Sequence, residues 1–378
     1  MEETRKQLKI VMLGHKRIPS REGGIEIVVE ELSTRMVALG NEVTCYNRSG
    51  HHVSDKEFDA GKLNTFKGVK LKTVPTIDRK GLAAVTSSFF GAFGAAFGHY
   101  DVVHFHAEGP CAMMWLPKLF RKRCVATVHG LDWQREKWKN GFGSKYIRFG
   151  EKVAVKCADE IIVLSKGVHD YFRDTYGRET RFIPNGVNRP VVHVADLIKN
   201  KFGLDKDEYI LFLGRIVPEK GLRYLVEAYK ELNTDKKLVI AGGASDTDDF
   251  MNEIKALSNG NERIIFTGFV AGQLLEELYR NAYVYTLPSD LEGMPLSLLE
   301  AMSYGNCCVV SDIAECAEVV EDKAVVFRKS DVADLREKLQ MLCDDREMVE
   351  RYKGTATEFI CRKYSWDDVV RKTIDLYR

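Results

Sequence analysis

Two carboxylates eight positions apart, Glu292 and Glu300, bracket the run Gly293-Met294-Pro295-Leu296-Ser297-Leu298-Leu299, and Ala301-Met302-Ser303-Tyr304-Gly305 follows directly. Pro295 suits the first turn of a helix, where its missing N–H costs little. The spacing therefore predicts a helix from about Pro295, with Glu292 in the loop before it and Glu300 between one and two turns further in. Free amides and the positive dipole end at such a start attract phosphate. The flanking acids can accept hydrogen bonds from the hydroxyls of a ligand that carries that phosphate. A nucleotide-sugar has both parts.

Other segments offer compatible chemistry. In Gly214-Arg215-Ile216-Val217-Pro218-Glu219-Lys220-Gly221 the guanidinium of Arg215 can grip phosphate oxygens with a fork of donors, and Lys220 supplies a compact charge. Five positions apart after an apolar run, both can reach one diphosphate. His129 ends the run 125–129, where an imidazole can hydrogen-bond a sugar hydroxyl or stabilise charge in a transition state. Gly23 and Gly24 open a helix beginning near Ile25 and permit close backbone approach to an anion. Their surroundings, from Gly14 to Gly24, match neither Gly-x-Gly-x-x-Gly nor a P-loop, which lowers the dinucleotide and NTPase readings.

Metal is not expected. Asp246-Thr247-Asp248 has the Asp-x-Asp pattern that can hold a divalent ion with a diphosphate, yet Asp249 and a helical pattern from Phe250 follow, so helix-starting acids account for it. His104 and His106 share one face of a strand, but no third ligand accompanies them. Activity without an obligatory metal or other cofactor follows as the expectation, and turnover in excess EDTA tests it.

These side chains need elements to hold them. Short apolar runs alternate with helix-length amphipathic segments along the whole chain, the pattern of β-α units around parallel sheets. Strands are predicted at 8–13, 42–46, 69–74, 101–106, 125–129, 160–164 and 180–183, with a helix over 25–39 closed by Gly40. The series restarts at 209–213, 238–241, 264–268, 283–286, 307–311 and 324–327. Two such sets, about six strands each, predict two doubly wound α/β domains facing across a cleft. The turn-rich stretch 184–190 is the predicted linker. Ligands of such sheets bind beyond the carboxyl ends of strands, where the candidate residues fall.

The chain of 378 residues has room for two domains, and its net charge of +1 argues against a general nucleic-acid binder. Nine scattered cysteines without a Cys-x-x-Cys pair read as reduced, buried thiols of a cytoplasmic protein. The polar start leads directly into a strand, so no signal peptide is expected. Residues 81–98 are uncharged but contain Thr86, Ser87, Ser88 and several glycines, too short and too polar a stretch for a membrane span, and read as a buried or interfacial helix. Together with the basic segment from Trp115 to Arg123 they could rest on an anionic membrane at its inner face.

The set Gly23-Gly24, His129, Ser165, Pro184-Asn185-Gly186-Val187, Gly214-Arg215, Lys220-Gly221, Gly268-Phe269-Val270 and Glu292 through Gly305 resembles the retaining glycosyltransferases of family 4, with the two-domain GT-B fold. Residues 14–24, with Val29-Glu30-Glu31-Leu32, look like the rhamnosyltransferase-like subgroup that builds bacterial capsule or other surface polysaccharides. The resemblance implies a first Rossmann-like domain over 1–187, a donor domain over 188–361 and a C-terminal helix within 362–378 that crosses back. It implies that Arg215 and Lys220 hold the donor diphosphate, Glu300 the ribose and Glu292 the donor sugar. Backbone amides of Gly293, Met294, Pro295 and Leu296 would face sugar and phosphate, although proline lacks one. Gly268, Phe269 and Val270 would border the base, His129 would meet the transferred sugar, and Gly23 and Gly24 would close on the diphosphate. The partners implied are a nucleotide-sugar and a saccharide or lipid-linked saccharide.

The chain departs from that family's pattern twice. Met294-Pro295 stands where Phe-Gly is common, and Asp312 is followed by Ile313-Ala314 instead of Gly-Gly. Both changes bear on sugar identity. A sugar phosphorylase or nucleotide-sugar epimerase would use the same scaffold, and a silent partner of a transferase would lack the charged residues that are present here.

Overall fold

The computed structural model describes residues 7–21, 23–50, 63–77, 79, 81–135, 141–190, 196–243, 249–258 and 260–378. The chain divides into two compact units, Met1–Asn185 with Trp366–Arg378, and Gly186–Ser365.

The first unit holds β1 (Lys9–Leu13), β2 (Glu42–Arg48), β3 (Thr65–Phe66), β4 (Val69–Val74), β5 (Val102–His106), β6 (Arg123–Val128), β7 (Glu160–Val163) and β8 (Arg181–Phe182). They form one sheet in the order β3-β4-β2-β1-β5-β6-β7-β8. Every pairing is parallel except that of β3 with β4. The central strands are buried on both faces, as a sheet flanked by helices requires: Ile10, Val11, Met12, Val103 and Phe105 are all inaccessible to solvent. β3 is the strand that sequence periodicity passes over, because two residues carry no alternation.

The second unit holds β9 (Tyr209–Leu213), β10 (Lys237–Ala241), β11 (Ile264–Gly268), β12 (Val284–Leu287), β13 (Cys307–Ser311) and β14 (Val325–Phe327), ordered β11-β10-β9-β12-β13-β14 and wholly parallel. This is a doubly wound sheet whose strand order reverses between β9 and β12; the first sheet reverses between β1 and β5. Such switch points leave a crevice outside the strand ends for a ligand.

At each switch point a glycine lets two chain segments touch. Gly14, just after β1, has φ +110, and a Cβ there would stand 2.1 Å from the carbonyl oxygen of His106. Gly221 has φ +70, and its Cβ would stand 1.9 Å from that of Pro288. Any other residue would force these loops apart.

The helix Trp366–Asp375 belongs to the first unit. It buries Trp366, Val369, Val370 and Ile374, and Asp367 pairs with Arg35 at 3.0 Å. Just before it, the amide of Val187 donates to the carbonyl of Tyr364 at 2.9 Å, so the two stretches at the edge of the second unit lie side by side. The units therefore part after Asn185 and after Ser365, where 187 and 361 were expected. The helix Arg346–Lys363 runs past the second of those positions before the chain turns.

Candidate active site

In the second unit the loops after β9 and β12 meet. Lys220 ends a short 3-10 turn, Pro218–Lys220, and its Nζ lies 2.5 Å from Glu292 Oε1. Both side chains are nearly buried, at 12% and 8% exposure. Ser289 Oγ donates to the same carboxylate oxygen at 2.7 Å. Ser289 is itself held by Ser311, whose hydroxyl donates to its carbonyl at 2.5 Å. The amide of Asp290 donates to the carbonyl of Glu219 at 2.9 Å, and Tyr224 and Ser330 each donate to one Asp290 carboxylate oxygen. Lys220 and Glu292 are thus fixed by backbone and side chain together.

Burying a lysine and a glutamate is costly unless each meets the other in good geometry. Here Oε1 carries both Lys220 and Ser289, and among the described residues no hydrogen bond falls on Oε2. That oxygen can accept from a ligand hydroxyl, and the ammonium beside it can meet an anion. Arg215 lies two residues beyond β9, partly buried in the same loop, whose Ile216 amide donates to Gly243 at 3.0 Å.

The helix after this loop runs Leu296–Ser303. Pro295 sits one position earlier than expected, at the cap, with ψ 97. Its extended backbone lets its carbonyl accept from the amides of Leu298 and Leu299 at 3.1 and 3.2 Å. Amides ahead of these have no intrahelical acceptor, as at any helix start. Glu300 lies in the second turn, and Tyr279 donates to its Oε2 at 3.1 Å. Tyr279 stacks on Tyr304, with ring planes 12° apart. Gly268 ends β11 with φ +70 and accepts from the amide of Gly242 at 2.9 Å. Val270 and Met294 are buried.

In the first unit β6 stops at Val128, so His129 is the first residue beyond the strand instead of its last. The turn at Gly130, φ +136, accounts for the break. His129 Nε2 lies 3.1 Å from His106 Nδ1 at the end of β5. Burial, then the neighbouring Arg135, lowers the His129 pKa to about 4 against an opposing pull from Asp132. The ring is neutral at physiological pH.

The loop beyond His129 is pinned by two buried acids. Glu108 accepts from the amide of Asp132 at 2.8 Å, and Glu151 from Trp133 Nε1 at 3.2 Å. Tyr171 and Tyr176 also donate to Glu151. Burial, followed by the charge of Asp132, holds the Glu108 carboxyl well above the usual range. His104 is occupied on both sides, by Tyr377 at 2.6 Å and Thr127 at 2.7 Å, so it does not begin a metal site.

Gly24 starts the helix Gly24–Ala38, with Gly23 extended at φ -160 as its cap. Glu26 in its first turn is buried and accepts from the amide of Lys16 at 2.8 Å. A carboxylate therefore already stands at this helix start, which the glycine pair alone does not reveal. Asp246, Thr247 and Asp248 lie outside the described residues. Among the described residues no group of three or more His, Cys, Asp or Glu is arranged to hold a metal ion.

Sequence reasoning also missed Glu108 and Glu151. Their partners lie between 18 and 25 positions away, at no spacing that a motif records. His106 was visible as one of a pair, though for a different purpose.

Residues 22–189 match the family described as Glycosyltransferase Family 4, and residues 194–359 that described as Glycosyl transferases group 1. The chain belongs to glycosyltransferase family 4. An uncharacterised glycosyltransferase of Methanocaldococcus jannaschii is 25% identical over 98% of each chain. The UDP-Gal:alpha-D-GlcNAc-diphosphoundecaprenol alpha-1,3-galactosyltransferase of Escherichia coli is 27% identical over 65% of this chain and 67% of its own. Sucrose-phosphate synthase of Thermosynechococcus elongatus superposes with a TM-score of 0.81 at 21% identity, covering 99% of this chain and 98% of that one. The likeness shows that this glycosyltransferase has the GT-B fold: two Rossmann-like α/β domains.

Proposed function

We propose that this glycosyltransferase moves a sugar from a nucleoside diphosphate to an acceptor hydroxyl with retention at the anomeric carbon. The observation that carries the reading is the buried Lys220–Glu292 pair at the β9/β12 switch point, with Arg215 in the same loop. Lys220, Arg215 and the helix-start amides from Gly293 to Leu296, Pro295 excepted, would stabilise charge on the departing diphosphate. Glu292 Oε2 would accept from a donor-sugar hydroxyl, Glu300 from the ribose, and Gly268, Phe269 and Val270 would border the base.

The first domain would contribute His129, neutral and so able to donate to or accept from a sugar hydroxyl, and the Gly23-Gly24 turn. No carboxylate is positioned as a nucleophile by anything described above, which favours attack from the face the diphosphate leaves. The anomeric C–O bond to phosphate breaks, the acceptor oxygen bonds to that carbon, and its proton passes to a diphosphate oxygen. No metal is required by this scheme.

Assembly of a bacterial surface glycan such as a capsule or exopolysaccharide, on a lipid-linked acceptor at the inner face of the membrane, is the setting we favour. Its support is the segment 14–32 and the likeness to an enzyme named for a diphosphoundecaprenol acceptor. Rhamnose nucleotides are the first donors to try. A screen of nucleotide-sugars for donor hydrolysis tests the whole reading: release of nucleoside diphosphate from one donor supports it, and release from none, with or without saccharide acceptors, overturns it.

A further inference from the structure

The helix Leu82–Phe97 is built inside out. Its buried side is made of Ser87, Ser88, Gly91, Ala92, Ala95 and Ala96. The small residues let it lie close on the sheet, where a Cβ on Gly91 would meet Leu13 and Tyr46 at 3.6 Å. Its large side chains point the other way: Phe89, Phe90, Phe93 and Phe97 are all exposed, the last at 57%. A helix at the surface of a globular domain normally buries its large apolar residues and shows charges to water. This one contains no charged residue.

The aromatic face does not end with the helix. Phe97 lies 4.6 Å from the ring of Phe120, measured between centroids, and Leu119 is 71% exposed beside it. Trp115, at the start of the helix Trp115–Leu119, is exposed as well. Contiguous exposed apolar surface of this kind marks a contact site.

The charges beside it say what the contact is. From position 81 to 123 the only acids are Asp101 and the buried Glu108, whereas Lys118, Arg121, Lys122 and Arg123 cluster next to Phe120. Lys118 is neutralised by Asp159 at 2.5 Å. The hydrogen bonds of Lys122 go to the uncharged carbonyls of Gly98 and Tyr100, so its charge is not cancelled by those partners. Arg123 donates to the carbonyl of Leu376 and shares the carboxylate of Asp159 with Lys118. Arg121 is exposed. Aromatic rings flanked by uncancelled positive charge suit the boundary between anionic headgroups and acyl chains. A second copy of this chain would bring basic residues of the same sign against these.

We propose that this face, Phe89, Phe90, Phe93, Phe97, Leu119 and Phe120 edged by Arg121 to Arg123, docks on an anionic lipid bilayer. No helix among the described residues is long and apolar enough to cross a membrane, so the contact is peripheral. It deepens the lipid-linked setting proposed above, and it is tested without donor or acceptor, so either reading can fail alone.

The probe is binding to vesicles of phosphatidylglycerol and phosphatidylcholine at low salt, by co-sedimentation and by the part of the tryptophan emission that brominated lipid quenches and that Trp115→Phe removes. The intact protein should bind, and its emission should be quenched. Phe93→Ser with Phe97→Ser should weaken partitioning at least about tenfold, and Arg121→Glu at least about fivefold. Donor hydrolysis in solution and far-UV circular dichroism should be unchanged in both, which separates lost docking from lost folding. Absence of binding by the intact protein overturns the proposal, as does equal affinity for pure phosphatidylcholine. A homodimer that Phe93→Ser with Phe97→Ser dissociates, in a protein that ignores vesicles, assigns the face to a second copy and overturns it too.

Discussion

Lys220 Nζ and Glu292 Oε1, 72 positions apart in sequence, meet at 2.5 Å at the switch point of the second sheet. The ammonium proposed for the diphosphate is therefore already held by the carboxylate proposed for the sugar. An incoming diphosphate must share Lys220 with Glu292. Glu292→Gln keeps the shape and removes the competing charge. Nucleoside diphosphate should then bind as tightly as before or tighter, while kcat/KM for transfer falls at least about tenfold, or about 1.4 kcal/mol. Calorimetric titration beside steady-state kinetics reads both. Weaker nucleotide binding in Glu292→Gln would show that the pair does not oppose the ligand.

Truncation tests the grip as a set. Arg215→Ala, Lys220→Ala and Glu292→Ala should each lower kcat/KM at least about tenfold. Lys220→Ala also strands Glu292 without its buried counter-ion, so its thermal stability should be followed in parallel. Near-normal turnover in any two of the three sinks the assignment. Turnover should persist in excess EDTA, and complete loss restored by Mn²⁺ would point instead to an essential metal.

What a linear reading could find follows from range. Strand positions and the α/β class were legible because buried parallel strands are continuous apolar runs, Ile10 to Leu13 or Tyr209 to Leu213. The residues after their ends could be picked out for the same reason. The Lys220–Glu292 contact could not, since it depends on β9 and β12 being neighbours in the sheet although two strands separate them in sequence. Residues 81–98 were legible as an uncharged helix, but which side faces outward depends on the close packing of Gly91 and Ala92.

Glu300 should behave differently from Glu292. It is held by Tyr279 in the second turn of its helix, away from the loop that carries Lys220's partner. A residue that binds the ribose equally in ground and transition states affects KM more than kcat. Glu300→Gln should therefore raise the donor KM several-fold with kcat within about twofold. A larger effect on kcat than on KM would move Glu300 to the reacting centre.

If His129 meets the transferred sugar as proposed, His106 is the residue that positions the His129 ring. Their hydrogen bond at 3.1 Å requires one ring to donate and the other to accept, which restricts the tautomer His129 presents. His106→Phe should lower kcat about tenfold or more, with the donor KM little changed. His106→Asn, which can still hydrogen-bond, should recover part of that loss. A purely structural role would give no such rescue, and activity would track thermal stability across both variants.

The first domain should be acid-labile. Burial lowers the pKa of His15 to about 4, His104 to about 3 and His129 to about 4, and places His106 well below the ordinary value. Unfolded, each titrates near 6.5. Between those values the unfolded chain binds protons that the folded domain refuses, so the stabilisation is complete above about pH 6.5 and drains away as pH falls towards 4. Each such histidine costs up to about 1.4 kcal/mol per pH unit across that window. All four belong to the first unit, while the second has only His193. The four tryptophans, Trp115, Trp133, Trp138 and Trp366, also belong to the first unit, so tryptophan fluorescence reports its unfolding selectively. The urea midpoint seen by fluorescence should fall steeply from pH 7 to pH 5. A midpoint constant over that range would mean that these imidazoles take up protons in the folded domain as readily as in the unfolded chain.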